Sequence, residues 1–222
     1  MSAEHLDDLR RQMVAEISAD AAHLHETIGK GVLDERVMAV IGAVPRHEFV
    51  PVELQQFAYA NIPLPIGFDK TISQPFIVAL MTDLLDIRPA DTVLEIGTGL
   101  GYQSAILARL ARKVYSIELI EELGKQAEQR LRRQGCTNVE LRIGNGYHGW
   151  SEHAPFDKII VTAAPDLIPA PLLHQLKPGG KMVVPAGLPD AQQLLLVEKA
   201  TDGRVSTREV LQVRFSLLEE PG

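Results

Sequence analysis

The residues that most clearly indicate chemistry form a glycine-rich run at positions 93–102, Val-Leu-Glu-Ile-Gly-Thr-Gly-Leu-Gly-Tyr. Glycines let a ligand approach the backbone closely, and the helix expected after them offers free N–H groups. The spacing G-x-G-x-G differs from the G-x-G-x-x-G of dinucleotide sites, where a pyrophosphate lies at the helix terminus. Glu95 would repel a pyrophosphate but could hold a cationic amine. The run therefore favours a cofactor without phosphate.

A second acid, Glu118, follows Gly97 by roughly 20 residues and ends the next predicted strand, a spacing typical of acids that accept hydrogen bonds from ribose hydroxyls. Together with the glycine-rich run it resembles the S-adenosylmethionine pocket of Rossmann-like methyltransferases. On this resemblance we expect the following residues to contact the cofactor: Glu95, Gly97, Thr98, Gly99, Gly101 and Glu118.

The elements that must position these residues alternate from Asp91 onward between short β-rich runs and amphipathic helical stretches. Such alternation favours a parallel sheet covered by helices on both faces. Two later runs, 194–199 and 205–215, flank Asp202-Gly203, which is a hairpin signal, so one strand near the C-terminus should run antiparallel. The other predicted strands are 92–96, 113–117, 139–143, 158–162 and 181–186.

The first third of the chain has a helical pattern. Leu6, Leu9, Met13 and Ile17 recur at spacings of three and four, which predicts one apolar stripe on a helix. Residues 37–44 repeat the pattern after Asp34, a suitable N-cap.

Residues 61–67 should form an extended loop, and a further helix should begin after Ser73-Gln74-Pro75. We therefore expect a single domain over residues 1–222. Its helical arm and substrate loop would occupy 1–85, the cofactor-binding core 86–200, and a C-terminal strand and tail 201–222.

The composition disfavours several classes of protein. The chain has 222 residues, of which 45% are hydrophobic, and its net charge of −7 disfavours a nucleic-acid binder. Its one cysteine, Cys136, excludes an internal disulfide and suits a reducing compartment. No apolar run approaches the roughly 20 residues of a membrane span, and no histidine pair has metal-ligand spacing. We expect a cytoplasmic monomer without metal, nucleic-acid or membrane partners.

Further motifs narrow the resemblance. In the chain order in which they occur, they resemble the protein-L-isoaspartate (D-aspartate) O-methyltransferase family over about residues 5–215. The segments T-I-S-Q-P and P-R-H-E-F-V-P are more specific than the glycine run, which many methyltransferases share. The segments that carry the resemblance are 45–51, 64–67 and 71–75 before the glycine run, and 144–150, 154–157 and 161–165 after it.

The resemblance implies a reaction and a fold. The family transfers a methyl group from S-adenosyl-L-methionine to the free α-carboxylate of L-isoaspartyl and D-aspartyl residues in damaged proteins, and S-adenosyl-L-homocysteine is the product. The ester then closes to a succinimide, which starts repair. The implied α/β fold is Rossmann-like, with a mostly parallel seven-stranded sheet, one antiparallel strand near the C-terminus and a helical N-terminal arm. Because the acceptor carboxylate is ionised at neutral pH, the reaction needs alignment more than a strong base.

The resemblance also implies roles for residues outside the glycine run. Ser73 matches the active-site serine of the family and would contact the acceptor carboxylate, although a serine there could also cap a helix. Thr71 would line the cofactor or shape the turn. Asn145 and Gly146 match the loop that contacts adenine, and Gln103 would either cap the cofactor or face solvent.

The chain departs from the family pattern at three places. Asn145 replaces the usual aspartate, Phe76 replaces a frequent histidine, and residues 213–218 lack the proline of V-x-F-V-P-L. The altered tail leaves open a carboxyl methyltransferase that acts on an aspartate of a dedicated peptide. A non-catalytic homologue that binds S-adenosylmethionine is a third alternative, which the intact segment 71–73 disfavours. Arg46 and His47 are expected to tie the N-terminal arm to the core.

Overall fold

The computed structural model describes residues 3–219, and most of its strands form one seven-stranded sheet in the order β5-β4-β3-β6-β7-β8-β9. All neighbouring pairs are parallel except those of β8, which runs antiparallel to both of its neighbours. The predicted mostly parallel sheet with one antiparallel strand is therefore confirmed. The strands are β1 (Leu64–Gly67), β2 (Lys70–Ile72), β3 (Thr92–Ile96), β4 (Lys113–Glu118), β5 (Val139–Ile143), β6 (Phe156–Val161), β7 (Leu176–Ala186), β8 (Gln193–Lys199) and β9 (Val205–Gln212).

Helices cover both faces of the sheet and form the N-terminal arm. The described residues also form four short 3-10 helices in loops, at Arg46–Phe49, Val52–Phe57, Gly146–His148 and Ser151–His153. No helix within residues 3–219 combines the length and apolarity needed to cross a membrane. The α-helices are α1 (Ala3–His23), α2 (His25–Ile28), α3 (Glu35–Ala43), α4 (Pro75–Leu84), α5 (Tyr102–Leu110), α6 (Glu121–Arg133) and α7 (Ala170–Gln175).

The alternation of side chains along the strands produces two apolar layers. Val93 of β3 joins the layer that also holds Met13 and Ile17 of α1, so the N-terminal arm packs into the same core as the sheet. Leu94 and Ile96 point to the opposite layer, with Trp150 and α7. The predicted stripe of α1 is thus the buried one, and Asp34 caps α3 by accepting the N–H of Arg36.

The segment expected as an extended loop is partly a strand. β1 pairs with β2 in an antiparallel hairpin whose two turn residues, Phe68 and Asp69, both have φ of 55°. Two-residue turns with two positive φ values usually contain Asn-Gly or Asp-Gly, so the sequence Phe-Asp does not predict this turn. The hairpin ends immediately before Ser73, so its pairing determines where the serine lies.

Candidate active site

The glycine turn after β3 lines a pocket at the carboxyl edge of the sheet. Gly97 has φ of 93°, and a Cβ there would lie 2.4 Å from the Thr162 hydroxyl, so only glycine fits. The pocket, which we call the edge pocket, spans about 640 Å³ of space between protein atoms, a volume that includes open solvent. Its lining includes the turn after β3, the end of β4 and the loops after β5 and β6, represented by Gly97, Gly99, Glu118, Gly146 and Thr162.

Glu118 holds the glycine turn from the end of the neighbouring strand. One carboxylate oxygen accepts the N–H of Gly99 at 2.7 Å, and the other accepts the N–H of Ile120 at 2.9 Å. Burial raises the pKa of Glu118, and the backbone hydrogen bonds oppose this rise. A carboxylate has about four acceptor sites, so two remain for hydroxyl donors in the edge pocket.

Glu95 lies elsewhere than expected. Its side chain is fully buried beneath the glycine turn and is not part of the edge-pocket lining. One oxygen accepts from the Ser104 hydroxyl and, at 2.6 Å, from the Ser116 hydroxyl, which itself bonds the Thr98 hydroxyl at 2.6 Å. Strand alternation turns Glu95 away from Ile96, which does line the pocket, so it supports the turn from below instead of facing the cofactor amine.

Two other members of the glycine turn also differ in their surroundings. Gly101 has φ of 94° and is the N-cap of α5; a Cβ there would lie 3.2 Å from Leu131 of α6, so its small size serves helix packing. It does not line the edge pocket. Thr98 and Gln103 line a second, smaller cavity, and the Gln103 amide donates to the Thr82 hydroxyl at 3.0 Å. Gln103 is buried, which excludes the solvent-facing alternative.

In the loop after β5, Gly146 lines the edge pocket and Asn145 is the N-cap of a short helix. Asn145 accepts the N–H of Tyr147 at 2.9 Å and begins the short helix Gly146–His148. It is absent from the pocket lining, whereas Gly146 is part of it. A Cβ on Gly146 would lie 2.3 Å from Ile96, which explains the need for glycine. The adenine contact expected of Asn145 stays a prediction, and in this structure its amide oxygen accepts a backbone N–H.

Ser73 lies between the hairpin and α4, and it is not the cap of that helix. The N-cap is Gln74, and the first turn instead receives a side chain from afar, since the Phe76 N–H donates to Asn61. The Ser73 hydroxyl forms no hydrogen bond within residues 3–219, while its carbonyl accepts from Arg46 at 2.7 Å. The alternative of a purely capping serine is thereby wrong for this fold.

Three spaces meet at Thr71, and Ser73, two residues further along, lines two of them. It lines the smaller cavity together with Gly97, Thr98 and Gly99, and we call this space the junction cavity. It also lines a long groove bordered by α1, Phe76 and the residues after β9. Thr71 lines the groove, the junction cavity and the edge pocket. A ligand in the edge pocket and a chain in the groove would thus meet beside Ser73.

Several lining residues escaped the sequence interpretation. Lys70 and the tail residues 216–219 close one side of the edge pocket, where Lys70 pairs with Glu219 at 2.5 Å. The tail is held by Ala164, whose N–H donates to the Ser216 carbonyl and whose carbonyl accepts from Leu218. Only the motif at 161–165 hinted at this contact, and nothing in it indicated the partner.

The edge pocket suits an adenosyl cofactor more than a metal. It combines the Glu118 carboxylate, which can accept from a diol, with apolar walls from Ile117, Leu119 and Leu123, against which a flat ring can pack. Cβ atoms at Gly97 and Gly146 would displace its walls, as expected for a cradle in which backbone approaches the ligand. Within residues 3–219, no group of three His, Cys, Asp or Glu side chains is placed to hold a metal ion.

Comparison with known proteins identifies relatives along nearly the whole chain. The family model of protein-L-isoaspartate(D-aspartate) O-methyltransferase matches residues 19–220. Protein-L-isoaspartate O-methyltransferase 1 of Polaromonas sp. (strain JS666 / ATCC BAA-500) is 68% identical over 216 residues, which are 96% of this chain and 92% of the relative. Protein-L-isoaspartate O-methyltransferase 2 of Syntrophobacter fumaroxidans is 59% identical over 207 residues, 93% of this chain and 84% of the relative.

Solved structures agree with this result. A protein-L-isoaspartate O-methyltransferase with 28% sequence identity has a TM-score of 0.77, over 91% of this chain and 66% of that one. A Plasmodium falciparum structure named for the same enzyme, in complex with S-adenosyl-L-homocysteine, has a TM-score of 0.79 over 95% of this chain and 98% of that one. At 19% identity the second structure supports the fold alone. Fold, motifs and relatives agree, and the chain belongs to the protein-L-isoaspartate(D-aspartate) O-methyltransferase family.

Proposed function

We propose that the chain transfers a methyl group from S-adenosyl-L-methionine to the free α-carboxylate of L-isoaspartyl and D-aspartyl residues in damaged proteins, and that the ester starts repair through a succinimide. The observation that carries this proposal is the junction cavity, which Ser73 and the glycine turn line together. The cavity lies where the edge pocket and the groove share Thr71. Methyl transfer needs such a meeting point between donor and acceptor.

On the sheet side, we assign cofactor binding to the residues that line the edge pocket and the junction cavity. When bound, S-adenosyl-L-methionine supplies an electrophilic methyl group on a sulfonium. Glu118 would accept hydrogen bonds from the ribose hydroxyls, and Gly97, Gly99 and Gly146 would allow close backbone approach. Thr71, Thr98 and Gln103 would border the end nearest Ser73.

Three predicted cofactor residues would act indirectly. Glu95 would hold the turn through the hydroxyls of Ser116 and Thr98, and Gly101 would let α5 pack against α6. Asn145 would shape the loop that presents Gly146. These three contribute to cofactor binding through the backbone that they position.

On the arm side, Ser73 would donate its hydroxyl hydrogen to one oxygen of the acceptor carboxylate. The hydroxyl has no competing partner within residues 3–219, so it is available for this bond. Ile66, Val78 and Met81 supply apolar walls to the same cavity, which limits water around the carboxylate. The carboxylate is already ionised, and the residues of the cavity need only orient and desolvate it.

We further propose that the chain acts as a single domain and a monomer in the cytoplasm, without nucleic-acid or membrane partners. The net charge of −7 disfavours contact with a phosphate backbone, and the single half-buried Cys136 is compatible with a reducing compartment. Its macromolecular partners would be proteins and peptides that contain isoaspartyl residues.

The test is methyl transfer from labelled S-adenosyl-L-methionine to matched isoaspartyl and aspartyl peptides. We expect a base-labile methyl ester on the isoaspartyl peptide alone. Equal labelling of both peptides would overturn repair in favour of a methyltransferase for ordinary aspartate. Label on neither peptide, with the cofactor still bound, would overturn repair and leave either a methyltransferase for a dedicated peptide or a non-catalytic homologue.

A further inference from the structure

Arg46 is a buried cation beside the acceptor side of the site. Its side chain is 0% exposed, its Nε donates to the Ala58 carbonyl at 2.8 Å, and its Nη2 donates to the Ser73 carbonyl at 2.7 Å. The ring of Tyr102 lies against the guanidinium, with 4.8 Å between Cζ and the ring centroid. Arg46 therefore connects the backbone of Ser73 to that of Ala58, and its guanidinium packs against the Tyr102 ring.

The charge of this guanidinium lacks a counter-ion. Within residues 3–219 Arg46 forms no ion pair, and the titratable groups around it are Tyr102 and Tyr59, which are neutral near pH 7. Its Nη1 and the Tyr102 hydroxyl are both buried and have no hydrogen-bond partner apart from their approach to one another. Burial lowers the pKa of Arg46 to about 10, so the side chain stays charged at neutral pH. A buried charge without a partner is unfavourable, and structures seldom keep one without a use.

We propose that Arg46 is a positioning residue for the acceptor: its uncompensated charge draws the ionised α-carboxylate to Ser73, and its bond to the Ser73 carbonyl fixes the serine. This inference rests on the proposed function. The carboxylate bound at the Ser73 hydroxyl would be the missing anion. Ser73 would separate it from the guanidinium of Arg46, and two charges on either side of one residue attract each other strongly where water is scarce. The structure thus separates two tasks, hydrogen bonding by Ser73 and electrostatic attraction by Arg46.

Two substitutions distinguish the effect of the Arg46 charge from that of its hydrogen bond to the Ser73 carbonyl. Arg46→Lys keeps the charge and loses the planar fork, whereas Arg46→Gln loses the charge and keeps one donor group. Each variant and the wild type would be measured with an isoaspartyl peptide and with its isoasparaginyl analogue, in which a carboxamide replaces the α-carboxylate. The readouts are KM and kcat for the first peptide and competitive inhibition constants for both.

We expect the wild type to prefer the carboxylate over the carboxamide, and Arg46→Gln to lose about ten-fold or more of this preference. KM for the isoaspartyl peptide should rise by about the same factor, with a smaller change in kcat and cofactor affinity within about two-fold. Arg46→Lys should restore most of the preference. A merely structural arginine would weaken both ligands equally.

Arg130→Gln is the matched control. Arg130 is a half-buried arginine of α6, and its Nε donates to the Glu48 carbonyl at 3.1 Å. Glu48 belongs to the same short helix as Arg46, so Arg130 contacts that helix without contacting Ser73. Its substitution should leave the preference unchanged.

An unchanged preference in Arg46→Gln would overturn the inference. If that variant does not fold, loss of the preference in a folded Arg46→Lys would do the same. Failure of the wild type to methylate the isoaspartyl peptide would instead overturn the proposed function.

Discussion

On the sheet side of the site, the lining residues follow the carboxyl ends of neighbouring parallel strands, so short and regular spacings bring them together. On the arm side, the hairpin, Ser73 and Arg46 all lie within residues 46–73, and the tail joins them from more than a hundred residues further along the chain. The sheet side works mainly through backbone, with Gly97 and the N–H of Gly99 at its centre. The arm side works through side chains, whose placement depends on long-range packing.

The two sides also differ in charge. The lining of the sheet side includes the Glu118 carboxylate, whereas the arm side buries the guanidinium of Arg46 behind Ser73. A cationic methyl donor suits the first environment, and an anionic acceptor suits the second. On the proposed function, Glu118 and Arg46 would attract the cationic donor and the anionic acceptor to different sides of the site.

Gly97→Ala should break the sheet side most severely. The new Cβ combines φ of 93° with a 2.4 Å approach to the Thr162 hydroxyl, so we expect a loss of about 2–4 kcal/mol in the free energy of unfolding. Cofactor affinity should fall by about 100-fold or more, measured by calorimetry. Gly203→Ala is the control, because Gly203 has φ of 87° and nothing within 4 Å, and it should cost only about 1 kcal/mol. Equal losses in both variants would contradict the steric explanation.

Glu95→Gln tests the buried acid of the sheet side through pH. Burial raises the pKa of Glu95 from 4.5 to about 7, so the folded protein keeps a proton that the unfolded chain releases. Its contribution to stability is therefore present at low pH and is lost as pH rises from about 4.5 to 7, by up to about 3 kcal/mol. Over this range the stability of Glu95→Gln relative to wild type should increase by that order, measured by urea unfolding. A difference that does not change with pH would contradict the assignment.

Ser73→Ala should affect the arm side alone. Loss of the group that orients a reactant can lower turnover by about 100-fold, because a small misplacement takes the reacting atoms out of line. We therefore expect kcat to fall by about that factor while cofactor affinity stays within about two-fold, measured by methyl transfer and calorimetry. An equal fall in both quantities would mean that the serine maintains the structure of the site and does not contact the acceptor.

Glu118→Gln should show the opposite pattern. The amide retains one acceptor oxygen, so one of the two bonds to Gly99 and Ile120 is lost together with the charge facing the ribose. We expect the cofactor dissociation constant to rise by about ten-fold, with kcat at saturation changed less. An unchanged dissociation constant would remove the ribose assignment.

Leu217→Pro should have the smallest effect, although it restores a family feature of the tail. The bridge between the tail and Ala164 uses the Ser216 carbonyl and the Leu218 N–H, and leaves the N–H of Leu217 unused. A proline there removes no bond of this bridge. We expect stability within about 0.5 kcal/mol of wild type and KM within about three-fold. A large change in KM would show that the departure at this position alters acceptor recognition.

Much of the sheet could be predicted because its signals are local. β3 and β5 have the predicted bounds, and β3 is buried along its whole length. The turn Asp202-Gly203 likewise indicated the β8–β9 hairpin. The β1–β2 hairpin was missed because its Phe-Asp turn lacks glycine, and its strands are held by the pairs Leu64–Ile72, Pro65–Thr71 and Gly67–Lys70.

The candidate site shows the same division. The sequence by itself determined that a glycine turn, a strand-end acid and the segment 71–75 occur together, because these features depend on backbone geometry and short spacing. Only the tertiary structure decided that Glu95 lies under the turn, that Asn145 is a cap, and that Arg46 reaches Ser73. Those placements depend on which face a side chain takes and which distant segment packs against it, and no local spacing encodes either.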